Sequence, residues 1–179
     1  GYCIPEGKLK PKKITEDGKE TLLRIAGPGD LIGFQHIVNR GVNDVTATAL
    51  EETKICFIDR TYLQILVKDQ SACAMELFSH LAEDMRALQE RINSFQNKSV
   101  RERVAFLLLD LSARYGVDTQ EGRRLGVHLS REEMASMLGV ATETLIREIS
   151  MLKEEQVLEQ EGKAIVLLNP KALEKTLGT

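Results

Sequence analysis

The chain has 179 residues, of which 42% are hydrophobic and 28% charged, a mixture that excludes a disordered or fibrous protein. No apolar run approaches the roughly 20 residues of a membrane-spanning helix, and Gly1-Tyr2-Cys3-Ile4-Pro5-Glu6 has no signal-peptide pattern. The net charge of −3 offers no bulk basic excess, and three widely spaced cysteines do not make a disulfide framework; a reducing, cytoplasmic setting is expected.

The first 58 residues read as β structure. Leu9 to Ile14 is a lysine-rich strand, expected at a sheet edge because it contains Pro11. Glu16-Asp17-Gly18-Lys19 has the make-up of a hairpin turn, and Glu20 to Ile25 is expected to pair back. Gly27-Pro28-Gly29-Asp30 is a second turn. Val45 to Leu50 and Lys54 to Ile58 read as further strands across an acidic turn.

No Gly or Pro occurs from Val42 to Tyr115, and after the last strand this stretch turns helical. Ala74, Phe78, Leu81, Met85, Leu88, Ile92 and Phe95 alternate at spacings of four and three, the seam of a coiled coil. As one helix, Ser71 to Asn97 would be about 40 Å long. Phe78, Leu81, Met85, Leu88, Ile92 and Phe95 are therefore the expected dimer interface; burial against the β domain of the same chain is the alternative.

Ser99 and Glu102 make a capping box that opens a new helix, which stops near Gly116. Leu125 to Leu129 reads as a short strand. Ser130 and Glu133 form a second capping box. Met134, Ala135 and Leu138 supply an inward helix face, Gly139 a left-handed stop, and Thr142 to Lys153 a second helix with Leu145, Ile149 and Leu152 inward. Two helices joined by a short turn are the DNA-reading arrangement, although a plain helical hairpin would have the same caps. Val157 to Gln160 and Ala164 to Leu168, joined across Glu161-Gly162-Lys163, add a β wing.

On the outer side of the second helix, Arg147 can donate two hydrogen bonds to guanine and Glu143 can accept from cytosine. The two are four residues apart, so an intrahelical ion pair is the competing reading. Thr142 is a third candidate for base contact. Ser130, Arg131, Thr144 and Lys163 are candidates for phosphate contact, each also explicable as a capped or solvated surface residue.

A β domain, a long dimer helix and a winged helix-turn-helix, in that order, resemble the Crp/Fnr family of bacterial transcription regulators. Gly18-Lys19-Glu20 with Gly29-Asp30-Leu31-Ile32-Gly33 is similar to the family's sensor β-roll. Leu129 to Val140 with Thr142-Glu143-Thr144-Leu145-Ile146-Arg147 is similar to its DNA-reading segment, and there the matching Glu and Arg read bases. The resemblance implies an α+β chain. Residues 1–70 would be a partial β-roll of the cyclic-nucleotide-binding-like, double-stranded β-helix kind, lacking its N-terminal part. Residues 71–97 would be the dimerisation helix and 98–179 the winged helix-turn-helix. It implies a homodimer on palindromic double-stranded DNA, with RNA polymerase as a further partner if the regulator activates.

Some residues depart from the cyclic-AMP-binding members. Phe34 stands where those members have a Glu, and Asp44 where they have an Arg that would clamp a phosphate. Cyclic nucleotide is therefore disfavoured. Ile146 replaces a small or hydroxyl residue of the recognition helix. Phe34 and the segment Ala49 to Cys56 are closer to the FNR branch, and Cys56 falls where that branch has one iron–sulfur ligand. A cluster would need further cysteines N-terminal to this chain; a buried strand cysteine packing as a small hydrophobe is the favoured alternative. Cys3 and Cys73 have no partners at ligand spacing, and no metal set is expected among the cysteines and His36, His80 and His128. A cyclic-nucleotide-binding module is the second functional reading. A small metal-dependent β-barrel enzyme is the third, and it lacks any nucleophile–base set or phosphate-binding glycine loop.

Overall fold

The computed structural model describes residues 1–14, 18, 20–39 and 45–178. It consists of two compact units, Gly1–Glu90 and Arg91–Thr179. The N-terminal unit runs β1 (Tyr2–Glu6), β2 (Leu9–Ile14), β3 (Glu20–Leu22), β4 (Leu31–Ile32), α1 (Phe34–Asn39), β5 (Val45–Ala49), β6 (Lys54–Phe57) and α2 (Arg60–Asp69), then enters α3 (Ser71–Asn97). Its strands form two antiparallel three-stranded sheets, ordered β4-β1-β6 and β3-β2-β5. Ile4, Leu9, Ala26 and Ile32 make a buried cluster.

The strand at Leu9–Ile14 is not an edge strand, contrary to expectation: β2 pairs with both β3 and β5. Pro11 is tolerated because its ring nitrogen, which has no hydrogen to donate, faces the β3 side, where its carbonyl accepts from the Leu23 amide at 3.0 Å. There the register slips by one residue between the Lys12↔Leu22 pair and the Leu9↔Ala26 bridge. Such a slip is where a sheet accommodates proline. It also ends β3 at Leu22 rather than at Ile25. The strand β1, which carries Pro5, went unread in the sequence. Gly7 joins it to β2 at φ +87°, where an added Cβ would lie 2.5 Å from the Thr53 hydroxyl oxygen. The expected turn at Glu16–Lys19 lies outside the described residues except for Gly18.

The Gly27–Asp30 turn forms as expected. Asp30 accepts the Gly27 amide at 2.7 Å and pairs with Arg24 at 3.0 Å, and Arg24 donates to the Leu31 carbonyl at 3.1 Å. Asp59 caps α2 by accepting the Tyr62 amide at 2.9 Å. The extended backbone of Gln70 separates α2 from α3, a break that a Gly- and Pro-free sequence does not announce.

The C-terminal unit takes the last residues of α3 from Arg91 onward, then α4 (Val100–Tyr115), β7 (Gly116–Asp118), β8 (Arg123–Leu125), α5 (Arg131–Leu138), α6 (Thr142–Glu154), β9 (Leu158–Glu161), β10 (Ala164–Leu167) and α7 (Pro170–Thr176). One antiparallel sheet has the order β7-β8-β10-β9. Leu108, Met134, Leu145, Leu152, Leu158, Leu167 and Leu173 are fully buried and form its core. The strand expected at Leu125–Leu129 instead occupies Arg123–Leu125. A bond from the Thr119 amide to the Gly122 carbonyl closes a hairpin with β7 and sets the register there. The helix α7, capped by Asn169 with Pro170 in its first turn, is also additional to the sequence reading.

Both capping boxes form, at Ser99/Glu102 and Ser130/Glu133. Gly139 ends α5 at φ +62°. Beyond it lies the Phe95 ring, 3.5 Å from where a Cβ on Gly139 would sit. Arg91 donates to the Met137 carbonyl at 3.0 Å and Arg103 to the Leu138 carbonyl at 2.9 Å. Both guanidinium groups lie over the Phe95 ring, 5.6 and 5.8 Å from its centre. The unsatisfied carbonyl end of α5 is thus capped by cations from α3 and α4, where the helix dipole favours positive charge.

Gly139→Ala forces an L side chain into the left-handed region and against the Phe95 ring. It is expected to destabilise the chain by about 1–2 kcal/mol in urea unfolding. A midpoint equal to that of the unaltered chain would contradict the role given to Gly139.

Candidate nucleic-acid interface

The helix pair α5–α6 stands on its inward residues. Met134, Ala135 and Leu138 of α5 and Leu145, Ile149 and Leu152 of α6 are all buried, as the sequence pattern requires. Their burial turns Glu143, Ile146, Arg147 and Ser150 outward, away from the core of the unit. Glu143 and Arg147 make no ion pair or hydrogen bond among the described residues, so the intrahelical pair weighed from their spacing is not formed. Thr142 and Thr144 stand in the first turn of α6.

The N-termini of the two helices differ. The amide of Glu133 in the first turn of α5 is bonded to Ser130 Oγ, and the Glu133 carboxylate takes the Ser130 amide at 2.9 Å. The N-cap of α6 is Ala141, which makes no side-chain cap. The first-turn amides of α6 are thus left to an outside acceptor such as a phosphate.

The remaining phosphate candidates are more engaged. Arg131 is half-buried and donates to Gln160 Oε1 of the wing at 2.8 Å; burial lowers its pKa. Lys163 is exposed beside Gly162 at the tip of the β9–β10 hairpin. The same hairpin carries Glu159 and Glu161, and a hydrogen bond with Glu161 together with repulsion from both carboxylates raises the pKa of Glu121. Acidic charge therefore gathers along the wing.

Along α3 the expected seam is turned to solvent. Phe78 is 61% exposed, Leu81 39%, Met85 62%, Leu88 60%, Ile92 56% and Phe95 41%. All six side chains are exposed among the described residues. Beside the seam, in the N-terminal unit, a cavity of about 390 Å³ is lined by Phe34 of α1, Leu63 and Val67 of α2, and Leu77, Phe78 and Leu81 of α3. Arg60 and Lys68 also line it. Phe34 thus belongs to an apolar cavity, while Asp44 lies outside the described residues.

Cys56 is exposed on β6, which corrects the favoured reading of a buried packing residue. The reason is that β6 carries no buried residue at all. Cys56 lies directly opposite Cys3 of β1, a pairing that sequence spacing did not reveal. An iron–sulfur cluster takes four thiolates, or histidines in place of some. Among the described residues no three of His, Cys, Asp and Glu converge to hold a metal, so the donors present do not fit a cluster. Arg91 and Arg103, which hold the turn between α5 and α6, were also missed. Nothing local marks them, since their partners are 46 and 35 residues away.

Comparison with known proteins agrees with this geometry. A family model described as a Crp-like helix-turn-helix domain matches residues 102–176, and one described as a cyclic nucleotide-binding domain matches residues 2–70. The protein named "Probable transcriptional regulator flp" of Lacticaseibacillus casei is 32% identical over 171 residues, covering 96% of this chain and 76% of that protein. A "CRP-like cAMP-activated global transcriptional regulator" of Mycobacterium tuberculosis is 31% identical over 174 residues, covering 96% of this chain and 77% of that protein. The solved structure of a CRP-family transcriptional regulator from Thermus thermophilus superposes with a TM-score of 0.82 at 24% identity, covering 99% of this chain and 87% of that one, a likeness of fold. The chain belongs to the Crp/Fnr family of transcription regulators, and joins a cyclic-nucleotide-binding-like β-roll to a Crp-like DNA-binding helix-turn-helix.

Proposed function

We propose that the chain acts as a homodimer on palindromic DNA, paired through α3. The observation that carries this reading is the exposed stripe of Phe78, Leu81, Met85, Leu88, Ile92 and Phe95. It keeps a heptad spacing along a helix of 27 residues, and a contiguous apolar stripe of this kind marks an interaction surface. A two-fold pairing of such helices would present two α6 helices to successive major grooves. Residues 1–70 then sense, 71–97 pair, and 98–179 read DNA.

On DNA, Arg147 and Glu143 contact base edges, with Thr142 beside them. Arg147 is unencumbered by an ion pair among the described residues, which leaves its guanidinium free for guanine. Ile146, 46% exposed on the same helix, offers an apolar contact to a thymine methyl group. Thr144, Ser130, Arg131 and Lys163 contact the backbone, assisted by the uncapped amides of α6. The protein works in the cytoplasm and, where it activates, contacts RNA polymerase. Among the described residues no helix is long and apolar enough to cross a membrane.

The effector acts in the N-terminal unit, where the cavity touches Phe78 and Leu81 of the seam. A molecule held there would bias the pairing of α3. A second reading, a cyclic-nucleotide-binding module, is favoured by the domain match over residues 2–70. It predicts heat on calorimetric titration with cyclic AMP or cyclic GMP at millimolar concentration; the apolar lining around Phe34 predicts none.

Two variants test the main reading together. Arg147→Ala is expected to weaken binding to the preferred duplex by about 1–3 kcal/mol, roughly five- to 150-fold, with the unfolding midpoint unchanged. Leu88→Glu places like charges in the seam and is expected to raise the dimer dissociation constant more than about a hundredfold by sedimentation. Unchanged DNA affinity in the first, or an unchanged dimer in the second, would contradict it.

A further inference from the structure

The two cysteines of the N-terminal sheet form a pair with a definite geometry. Tyr2 lies opposite Phe57 and Cys3 opposite Cys56. The Tyr2 and Phe57 rings are 5.4 Å apart, so the pairing holds for side chains as well as backbone. One step beyond, the Gly1 amino group donates to the Ile58 carbonyl at 2.9 Å, and the Ile58 amide donates to the Gly1 carbonyl at 2.8 Å. Antiparallel ladders alternate, so Tyr2–Phe57 is a non-hydrogen-bonded pair and Cys3–Cys56 a hydrogen-bonded one. Residues paired in this way project from the same sheet face with α-carbons about 5.5 Å apart. That separation is within the range a disulfide spans. The register shifts between Cys3 and Glu6, so the regular β1–β6 ladder ends at the cysteine pair. Both thiols are free, Cys56 exposed and Cys3 half-buried, and DNA reading uses neither.

We propose that Cys3 and Cys56 form a dithiol site for peroxides, oxidised reversibly to a cross-strand disulfide. The exposed Cys56 thiolate attacks one oxygen of hydrogen peroxide. A sulfur–oxygen bond forms, the oxygen–oxygen bond breaks, and the departing hydroxide takes a proton to become water. Cys56 is then a sulfenic acid. The Cys3 thiolate attacks the Cys56 sulfur. The sulfur–sulfur bond forms, the sulfur–oxygen bond breaks, and the second hydroxide leaves as water after taking a proton. Together the two thiols give up two electrons and two protons, and one peroxide becomes two waters. A small-molecule dithiol reverses the bridge by exchange.

The position gives the bridge a route to the rest of the unit. Cys56 is three residues before Asp59, the N-cap of α2, and α2 runs into α3 across Gln70. Fixing β6 to β1 therefore fixes the strand that delivers these helices. The effect of the bridge on DNA affinity rests on the regulator reading; formation of the bridge does not.

The test oxidises the fully reduced chain with a small excess of hydrogen peroxide. Titratable thiols are expected to fall from three to one, with one cross-linked peptide pair, Cys3–Cys56, in a non-reduced digest, and to return on adding a dithiol. In Cys3→Ser the sulfenic acid at Cys56 should persist and label with dimedone about tenfold more than in the unaltered chain, whereas Cys73→Ser should behave as the unaltered chain does. Cross-links through Cys73 or between chains would overturn the proposal. So would over-oxidation of Cys56 with Cys3 still reduced, or equal dimedone labelling in both chains. Fluorescence anisotropy with a duplex selected by the reduced chain separates the two readings. A reversible change of tenfold or more, absent in Cys3→Ser, supports the coupling. An intact bridge without any DNA binding would overturn the regulator reading and leave the dithiol site standing.

Discussion

The contact between Phe95 and the Gly139 turn fixes the DNA-reading helices to the end of α3. Phe95 is the last residue of the heptad seam, yet its ring also packs beside Gly139 in the turn between α5 and α6. Arg91 and Arg103 hold the same joint from two sides, each donating to a carbonyl at the end of α5 and lying over the Phe95 ring. Hydrogen bonds from a charged donor to otherwise unsatisfied carbonyls are among the stronger polar interactions in a folded chain. The residue that ends the seam therefore also orients the reader. The end of α3 thus shares its contacts with the turn that positions α6.

The features legible in the sequence are those written in local spacing. Ser99/Glu102 and Ser130/Glu133 are three residues apart, and both boxes form because their bonds close within one helical turn. The apolar stripe of α3 is legible because it is a period, and Gly139 because glycine readily takes the left-handed conformation that ends many helices. Pro11 misled because its cost depends on which side of the strand its nitrogen faces, a matter of register that sequence does not state. The Glu143–Arg147 spacing permitted an ion pair that the side chains do not make. Cys3 and Cys56 are far apart in chain order, and only the pairing of β1 with β6 brings them face to face.

Charge raised an objection to DNA binding that the structure places more exactly in space. Carboxylates gather on the wing, where Glu121, Glu159 and Glu161 interact, while the outer face of α6 offers Arg147 together with uncapped amides. Attraction to DNA need not come from net charge when donors are concentrated at one helix end. In the N-terminal unit, the cavity beside α3 and the cysteine pair at β6 both adjoin the helices that lead into the seam. A signal registered by either, as proposed above, would act on the same element.

The proposed function requires that the chain read DNA as a pair. Selection from a pool of random duplexes, followed by sequencing of those retained, tests it most directly. Pairing on DNA predicts enrichment of inverted repeats whose half-sites are centred about one helical turn apart, roughly 10 base pairs. Enrichment of a single, unrepeated half-site, or of no sequence at all, would contradict it.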